Sequence, residues 1–284
     1  MKIAIASGKG GTGKTTIATN LACSIAAMGQ SAQYIDCDVE EPNGHIFLKP
    51  DIKETKTATI DVPVVDTEKC IGCAKCSELC QYSAIICLKD KAMTFNQMCH
   101  ACGGCVLVCP TGAIAEEPKE IGFVDVGMAK DVNFAQGRLK IGDIHTPPLI
   151  KQVKRNALKE CVVIIDAPPG TSCPVIEAVK GTDFVLLVTE PTPFGLNDLK
   201  LAVGMVRELG IPFAVVINRS DPEEQMTSQY CKDENIDIIF ELPDDRRIAE
   251  AYSVGKMIVD VLPGYKNGFV SLYEKVSCQL SESK

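Results

Sequence analysis

No stretch of this 284-residue chain holds the eighteen or so consecutive apolar residues that a membrane-spanning helix needs. Positive charge is scarce too. Only 29 Lys and Arg stand against 37 Asp and Glu, a net charge of −8, whereas a general grip on nucleic acid needs clustered Lys and Arg. The opening Met1-Lys2-Ile3 passes directly into an apolar run and leaves a signal peptide nowhere to fit. At the other end, Ser271 to Lys284 lacks the bulky apolar residues and basic face of an interfacial helix, so it reads as a packing helix. These absences predict a cytoplasmic protein whose partners include neither nucleic acid nor membrane. With 46% hydrophobic and 23% charged residues the remainder is ordinary for a globular chain, long enough for one large α/β domain plus something small.

Cysteine is in excess. The chain has 15, and in a reducing compartment so many read as metal ligands rather than disulfides. Nine of them lie between Cys70 and Cys109, which marks a module.

The most organised stretch is Gly8-Lys9-Gly10-Gly11-Thr12-Gly13-Lys14-Thr15-Thr16. It follows the apolar run Ile3 to Ala6 and opens into a helix expected over 15–27. Strand, glycine-rich turn and helix N-terminus in that order form a phosphate cradle, in which backbone N–H groups and the helix dipole favour negative charge. Lys14 is placed to reach the β- and γ-phosphates, and the Thr15 hydroxyl to bind Mg²⁺. A second buried strand, 33–36, ends in the acidic segment Asp36-Cys37-Asp38-Val39-Glu40-Glu41, at the end of a strand where doubly wound sheets hold ligands. The apolar run 161–165 ends in Asp166, as a doubly buried strand presents a carboxylate to Mg²⁺.

Strands and helices alternate to the end of the chain, with strands at 184–189, 213–217 and 236–242. Helices are expected at 147–160, 195–210, 222–235, 245–254 and 265–280, and a short β pair at 122–126 and 139–142. This pattern predicts an α/β fold with a doubly wound, mostly parallel sheet. From Ile60 to Pro118 the alternation stops. The expected organisation is a P-loop domain in two parts, 1–62 and 119–284, with a small domain inserted at 63–118.

Lys9, straight after the first glycine, makes the loop resemble the deviant Walker A motif of the MinD/ParA-type ATPases, which include the nitrogenase iron protein and Mrp-like iron–sulfur carriers. The resemblance implies that Lys9 reaches across a dimer interface to the partner's nucleotide; otherwise it is a solvated loop lysine. It also implies that Asp38 orients the attacking water or helps hold Mg²⁺, with Asp36 in support. Asn218 would read the adenine edge, and Pro243 would line the base. Cys173, seven residues after Asp166, falls at the offset of a cluster-bridging cysteine of the nitrogenase iron protein. The other cysteine of that pair has no match, and a buried thiol is the alternative.

Within the insert, Cys70, Cys73, Cys76 and Cys80 have the spacing C-x₂-C-x₂-C-x₃-C, and Cys99, Cys102, Cys105 and Cys109 repeat it. Structural zinc prefers two C-x₂-C pairs per ion, so triplets with a fourth cysteine point to cubane clusters instead. The block resembles a bacterial dicluster ferredoxin, in which the fourth cysteine ligates the other cluster. That resemblance pairs Cys70, Cys73, Cys76 and Cys109 on one [4Fe–4S] cluster, and Cys80, Cys99, Cys102 and Cys105 on the second. Gln81 departs from the pattern, which carries proline there. Cys87 lies outside the repeat and reads as a small buried residue, and His100 as a loop residue.

The expectation is a Mg²⁺- and ATP-dependent switch, an ATP-dependent homodimer or paralogue heterodimer. It would hydrolyse ATP slowly alone and faster with a redox or iron–sulfur partner protein, and pass electrons through two [4Fe–4S] clusters. The alternatives are an iron–sulfur carrier or maturation ATPase and a MinD/ParA-like positioning ATPase.

Overall fold

A computed structural model describes residues 1–282. In chain order its elements begin with β1 (Lys2–Ala6), α1 (Lys14–Ala27), β2 (Ala32–Asp36), α2 (Gly44–Leu48), β3 (Asp51–Val65) and α3 (Lys75–Leu79). Then come β4 (Ile85–Leu88), β5 (Lys91–Thr94), α4 (Gly104–Leu107), β6 (Ile114–Ala129), β7 (Val132–Leu139), α5 (Thr146–Lys154) and β8 (Val162–Asp166). The chain continues through α6 (Cys173–Val179), β9 (Phe184–Thr189), α7 (Pro193–Glu208), β10 (Phe213–Ser220) and α8 (Met226–Asp233). It ends with β11 (Ile238–Pro243), α9 (Arg246–Ser253), α10 (Ile258–Val261) and α11 (Lys266–Glu282).

Two compact units divide the residues. The first comprises Met1–Thr55, Val124–Arg138 and the chain from Ile150 onward; the second comprises Lys56–Phe123 and Leu139–Leu149. The second is therefore wider than the 63–118 expected from sequence, and takes a second segment after β7.

In the first unit the strand order is β11-β10-β9-β1-β8-β2-β7, every neighbour parallel. Because its central strands are buried on both faces, they read as unbroken apolar runs rather than alternating ones. Ile3, Val163, Ile164, Ile165, Val185, Leu186 and Leu187 are all completely buried. In α11, Phe269, Leu272 and Val276 join Leu21 and Ile25 of α1 in the same core. Each such side chain contributes about 1.5–3 kcal/mol relative to exposure. No helix among the described residues is long and apolar enough to cross a membrane.

The sheet is mixed. Turning at Lys130 and Asp131, β6 joins β7 through a two-residue connection that only antiparallel strands can share. Instead of the short pair expected at 122–126 and 139–142, these strands run over 114–129 and 132–139. Unforeseen from the sequence, β3 has a polar first half exposed on both faces, so only Ala58, Ile60 and Val62 show the period-two burial of a strand. Expected to run to residue 160, α5 stops at Lys154. The Asn156 amide turns back to donate to the Gln152 and Val153 carbonyls at 3.1 Å each, closing the helix end.

The second unit has a small core. Cys76, Ile85, Ala92 and Ile114 are buried at its centre, with Cys70, Cys80, Cys105 and Cys109 packed around them. Its β4 and β5 pair antiparallel.

Candidate functional site

The 8–16 loop connects β1 to α1 as the sequence predicted. Gly13 caps α1 at φ 92°, a left-handed conformation that a side chain strains, and no side chain caps the helix. The first-turn N–H groups of α1 are thus left to face an anion. A Cβ at Gly13 would also lie 2.3 Å from the Asn218 amide nitrogen. Asn218 is buried and donates to the Thr12 carbonyl at 2.9 Å, so it clamps the loop. That bond uses one of the two amide N–H groups, which leaves the other and the amide oxygen for the adenine edge expected from the sequence.

Three carboxylates face Lys14. In register, Asp36 on β2 and Asp166 on β8 are direct neighbours, and both are 1% exposed. Burial pushes each of these carboxyls up, and for Asp36 the Asp166 charge adds to the rise. Burial lifts the Asp38 carboxyl to about 6, with the Asp166 charge reinforcing it and Lys14 opposing it. Burial lowers the Lys14 ammonium, while Asp166, Asp38 and Asp36 hold it up. Thr15 lies beside Asp166 and helps to hold its carboxyl down against burial. Asp166 Oδ1 is buried without a hydrogen-bond partner, an arrangement that costs about 1–3 kcal/mol until a cation or water satisfies it. Thr15, Asp166 and Asp38 therefore fit a Mg²⁺ ion by donor type and by this unsatisfied oxygen.

Two residues here escaped the sequence reading. Fully buried Tyr34 directs its hydroxyl to Asp166 Oδ2 at 2.9 Å and to Asp36 Oδ2 at 3.3 Å. Standing two residues before Asp36 on one strand, it shares that residue's face, which was the available signal. Glu190, just past β9, lies 3.8 Å from Lys9 and 2.9 Å from Arg219. Pro243 lines an open cleft with Glu190, Thr192, Arg219 and Asp221, at the carboxyl ends of β9, β10 and β11. At the start of α6, Cys173 is exposed rather than a buried thiol.

In the second unit the cysteines sort into two cavities. Cys80, Cys99, Cys102 and Cys105 line one; Cys70, Cys73, Cys76 and Cys109 line the other. Cys76 touches both. Among the described residues no group of three or more His, Cys, Asp or Glu converges on a single metal ion. A lining of thiols is the donor type that a cubane takes at its corners. Half-buried Cys87 also lines the second cavity, its Sγ 3.6 Å from the Gly72 carbonyl, and is not the small core residue expected. His100 stacks on Tyr82 with centroids 3.6 Å apart.

The internal repeat extends to the backbone. Two residues after the first cysteine, Gly72 and Ala101 have φ 68° and 53°; one after the second cysteine, Ala74 and Gly103 have φ 60° and 69°. The last two begin α3 and α4. Alanine in this conformation is strained by roughly 1–2 kcal/mol, a cost that concentrates at ligand-holding loops.

His145, also missed, braces the second loop. Its Nε2 donates to the Cys99 carbonyl at 2.7 Å, its Nδ1 bonds Asp143, and Asp143 pairs with Lys119 at 2.8 Å. Burial works to raise the Asp143 carboxyl, but bonds from Lys119 and His145 prevail and hold it at about 2.

A protein of Methanocaldococcus jannaschii without an assigned function is 31% identical over 90% of each chain. An iron–sulfur cluster carrier protein of Pyrococcus horikoshii is 26% identical over the whole of this chain and 88% of its own. The structure of MinD from Pyrococcus horikoshii, complexed with Mg-ADP, superposes with a TM-score of 0.59 at 20% identity, covering 97% of this chain and 95% of MinD; this likeness establishes the fold. The family model for the CobQ/CobB/MinD/ParA nucleotide-binding domain matches residues 3–258. By that match across most of its length, the chain belongs to the CobQ/CobB/MinD/ParA nucleotide-binding family.

Proposed function

We propose that this protein hydrolyses ATP and couples a nucleotide-switched dimer to electron transfer through two [4Fe–4S] clusters. The observation that carries the reading is the sorting of the cysteines. Each cavity is lined by the three closely spaced thiols of one repeat together with the last thiol of the other, the combination of two-cluster ferredoxins, with Cys76 at the border of both and Cys87 beside the second. When bound, the clusters supply one-electron chemistry. Cys70, Cys73, Cys76 and Cys109 would hold one, and Cys80, Cys99, Cys102 and Cys105 the other.

In the nucleotide site, Gly8 to Thr16 wrap the phosphates, and Lys14 balances their charge. Thr15 and Asp166 would hold Mg²⁺, and Asp38 would orient the attacking water. Mg²⁺ supplies neutralisation of the phosphate charge; positioning and electrostatics account for most of phosphoryl-transfer catalysis. Lys9 serves the partner's nucleotide.

Anaerobic reconstitution tests the reading. About eight irons per chain, the content of two [4Fe–4S] clusters, and a cluster reduction rate or potential that changes with Mg-ATP are expected. Iron that never binds, or bound zinc that iron cannot replace, refutes it. The likeness to proteins named iron–sulfur cluster carriers favours a second reading, in which the clusters are cargo. ATP-dependent transfer of cluster to an apo-acceptor in the presence of chelator would establish that reading instead.

A further inference from the structure

Tyr34 does more than fill the core between β2 and β8. Its ring stacks on Phe134 with centroids 5.8 Å apart, and its hydroxyl reaches two buried carboxylates of adjacent strands. One of these, Asp166, keeps Oδ1 free of protein partners. The other, Asp36, brackets the acidic loop: Oδ1 accepts from the Asp38 N–H at 3.1 Å, and Oδ2 from the Gly44 N–H at 2.9 Å. At Gly44 the loop ends and α2 begins, and Phe47 of α2 packs on Tyr252 of α9 at 4.9 Å. Gly44 is itself fitted to the ring, since a Cβ there would come 2.3 Å from the Tyr34 hydroxyl.

A phenol has one proton and can give it to only one of the two carboxylates at a time. A cation at Asp166 changes what Tyr34 donates to, and with it what Asp36 must satisfy. A ligand moves a distant segment only by bonding differently to its two arrangements, and this hydrogen-bond chain provides that difference. We propose that Tyr34 couples occupancy of the metal side of the nucleotide site to the 38–48 segment, through Asp36 and Gly44. The proposal rests on the reading of 8–16 as a nucleotide site.

Hydrogen exchange on the full chain tests it, with Mg²⁺ and a non-hydrolysable ATP analogue, and with the analogue in EDTA. In the wild type, Mg-nucleotide is expected to slow exchange in both 8–16 and 38–48, and nucleotide in EDTA to slow 8–16 alone. Tyr34→Phe keeps the ring and removes the bridge. It should retain the protection of 8–16 and lose that of 38–48 by tenfold or more in exchange rate. Gly44→Ala, which displaces the ring from the other side, should do the same, and decides the matter should Tyr34→Phe not fold. Wild-type protection of 38–48 in either folded variant overturns the proposal. Absent protection of 8–16 in the wild type would instead overturn the nucleotide site itself.

Discussion

Asp143 shows how a single side chain ties charge to stability. Its carboxyl is held at about 2 in the fold, below the value near 3.9 of an unfolded chain. A group depressed in this way stabilises above the unfolded value, and the contribution is lost as pH falls through the folded one. The shift corresponds to at most about 2.5 kcal/mol. Asp143→Asn should therefore be about 2 kcal/mol less stable than wild type at pH 7, and the gap should close between pH 4 and pH 2. Denaturant titrations across that range measure it; a gap independent of pH would assign the loss to packing. None of this was readable from the sequence. His145 meets Cys99 across 46 residues, and Tyr34 meets Asp166 across 132. Lys14, Thr15 and Asp166 were readable because a local motif or the end of an apolar strand fixes each one's position. Asn218 was found by its place after a strand, but its bond to Thr12 could be known only from the fold.

Among the elements, the buried strands β1, β8, β9 and β10 were legible because burial on both faces writes them as apolar runs. The strand β3 was not, because its exposed half has no apolar face to alternate. In the cysteine block the spacing was legible and the backbone was not: nothing about Ala74 or Ala101 announces a left-handed residue. Substitution at these alanines should therefore be graded by backbone conformation rather than size. Ala101→Gly should be neutral or stabilising by up to about 1 kcal/mol, whereas Ala101→Val should cost more than about 1 kcal/mol and lower the iron retained after reconstitution. Thermal melts beside iron assays check this, and equal behaviour of the two variants would contradict the assigned strain.

For the whole molecule, the proposed switch turns on what Lys9 does when no partner is present. Here it lies 3.8 Å from Glu190, which also pairs with Arg219. The lysine is one-third exposed, so this contact is weak and easily exchanged for a phosphate. Lys9→Ala is expected to abolish dimerisation in Mg-ATP while leaving nucleotide affinity of the monomer within about threefold, on the order of 0.6 kcal/mol. Light scattering with and without nucleotide reads this directly, and a dimer that forms regardless would place the contact elsewhere.

The arrangement of α3 and α4 has a consequence for how iron would enter. The α3 segment carries Cys76, which borders both cavities, and ends at Cys80, which lines only the one that Cys99, Cys102 and Cys105 share. Cys105 in α4 lines that same cavity, and Cys109 just beyond α4 lines the other. On the proposed cluster reading, closing either quartet would also set a helix that carries a ligand of the other. Filling the first site would thus assemble the second, and partly loaded chains should be rare. Native mass spectrometry during a sub-stoichiometric reconstitution should find a population split between empty and doubly filled chains, with little between.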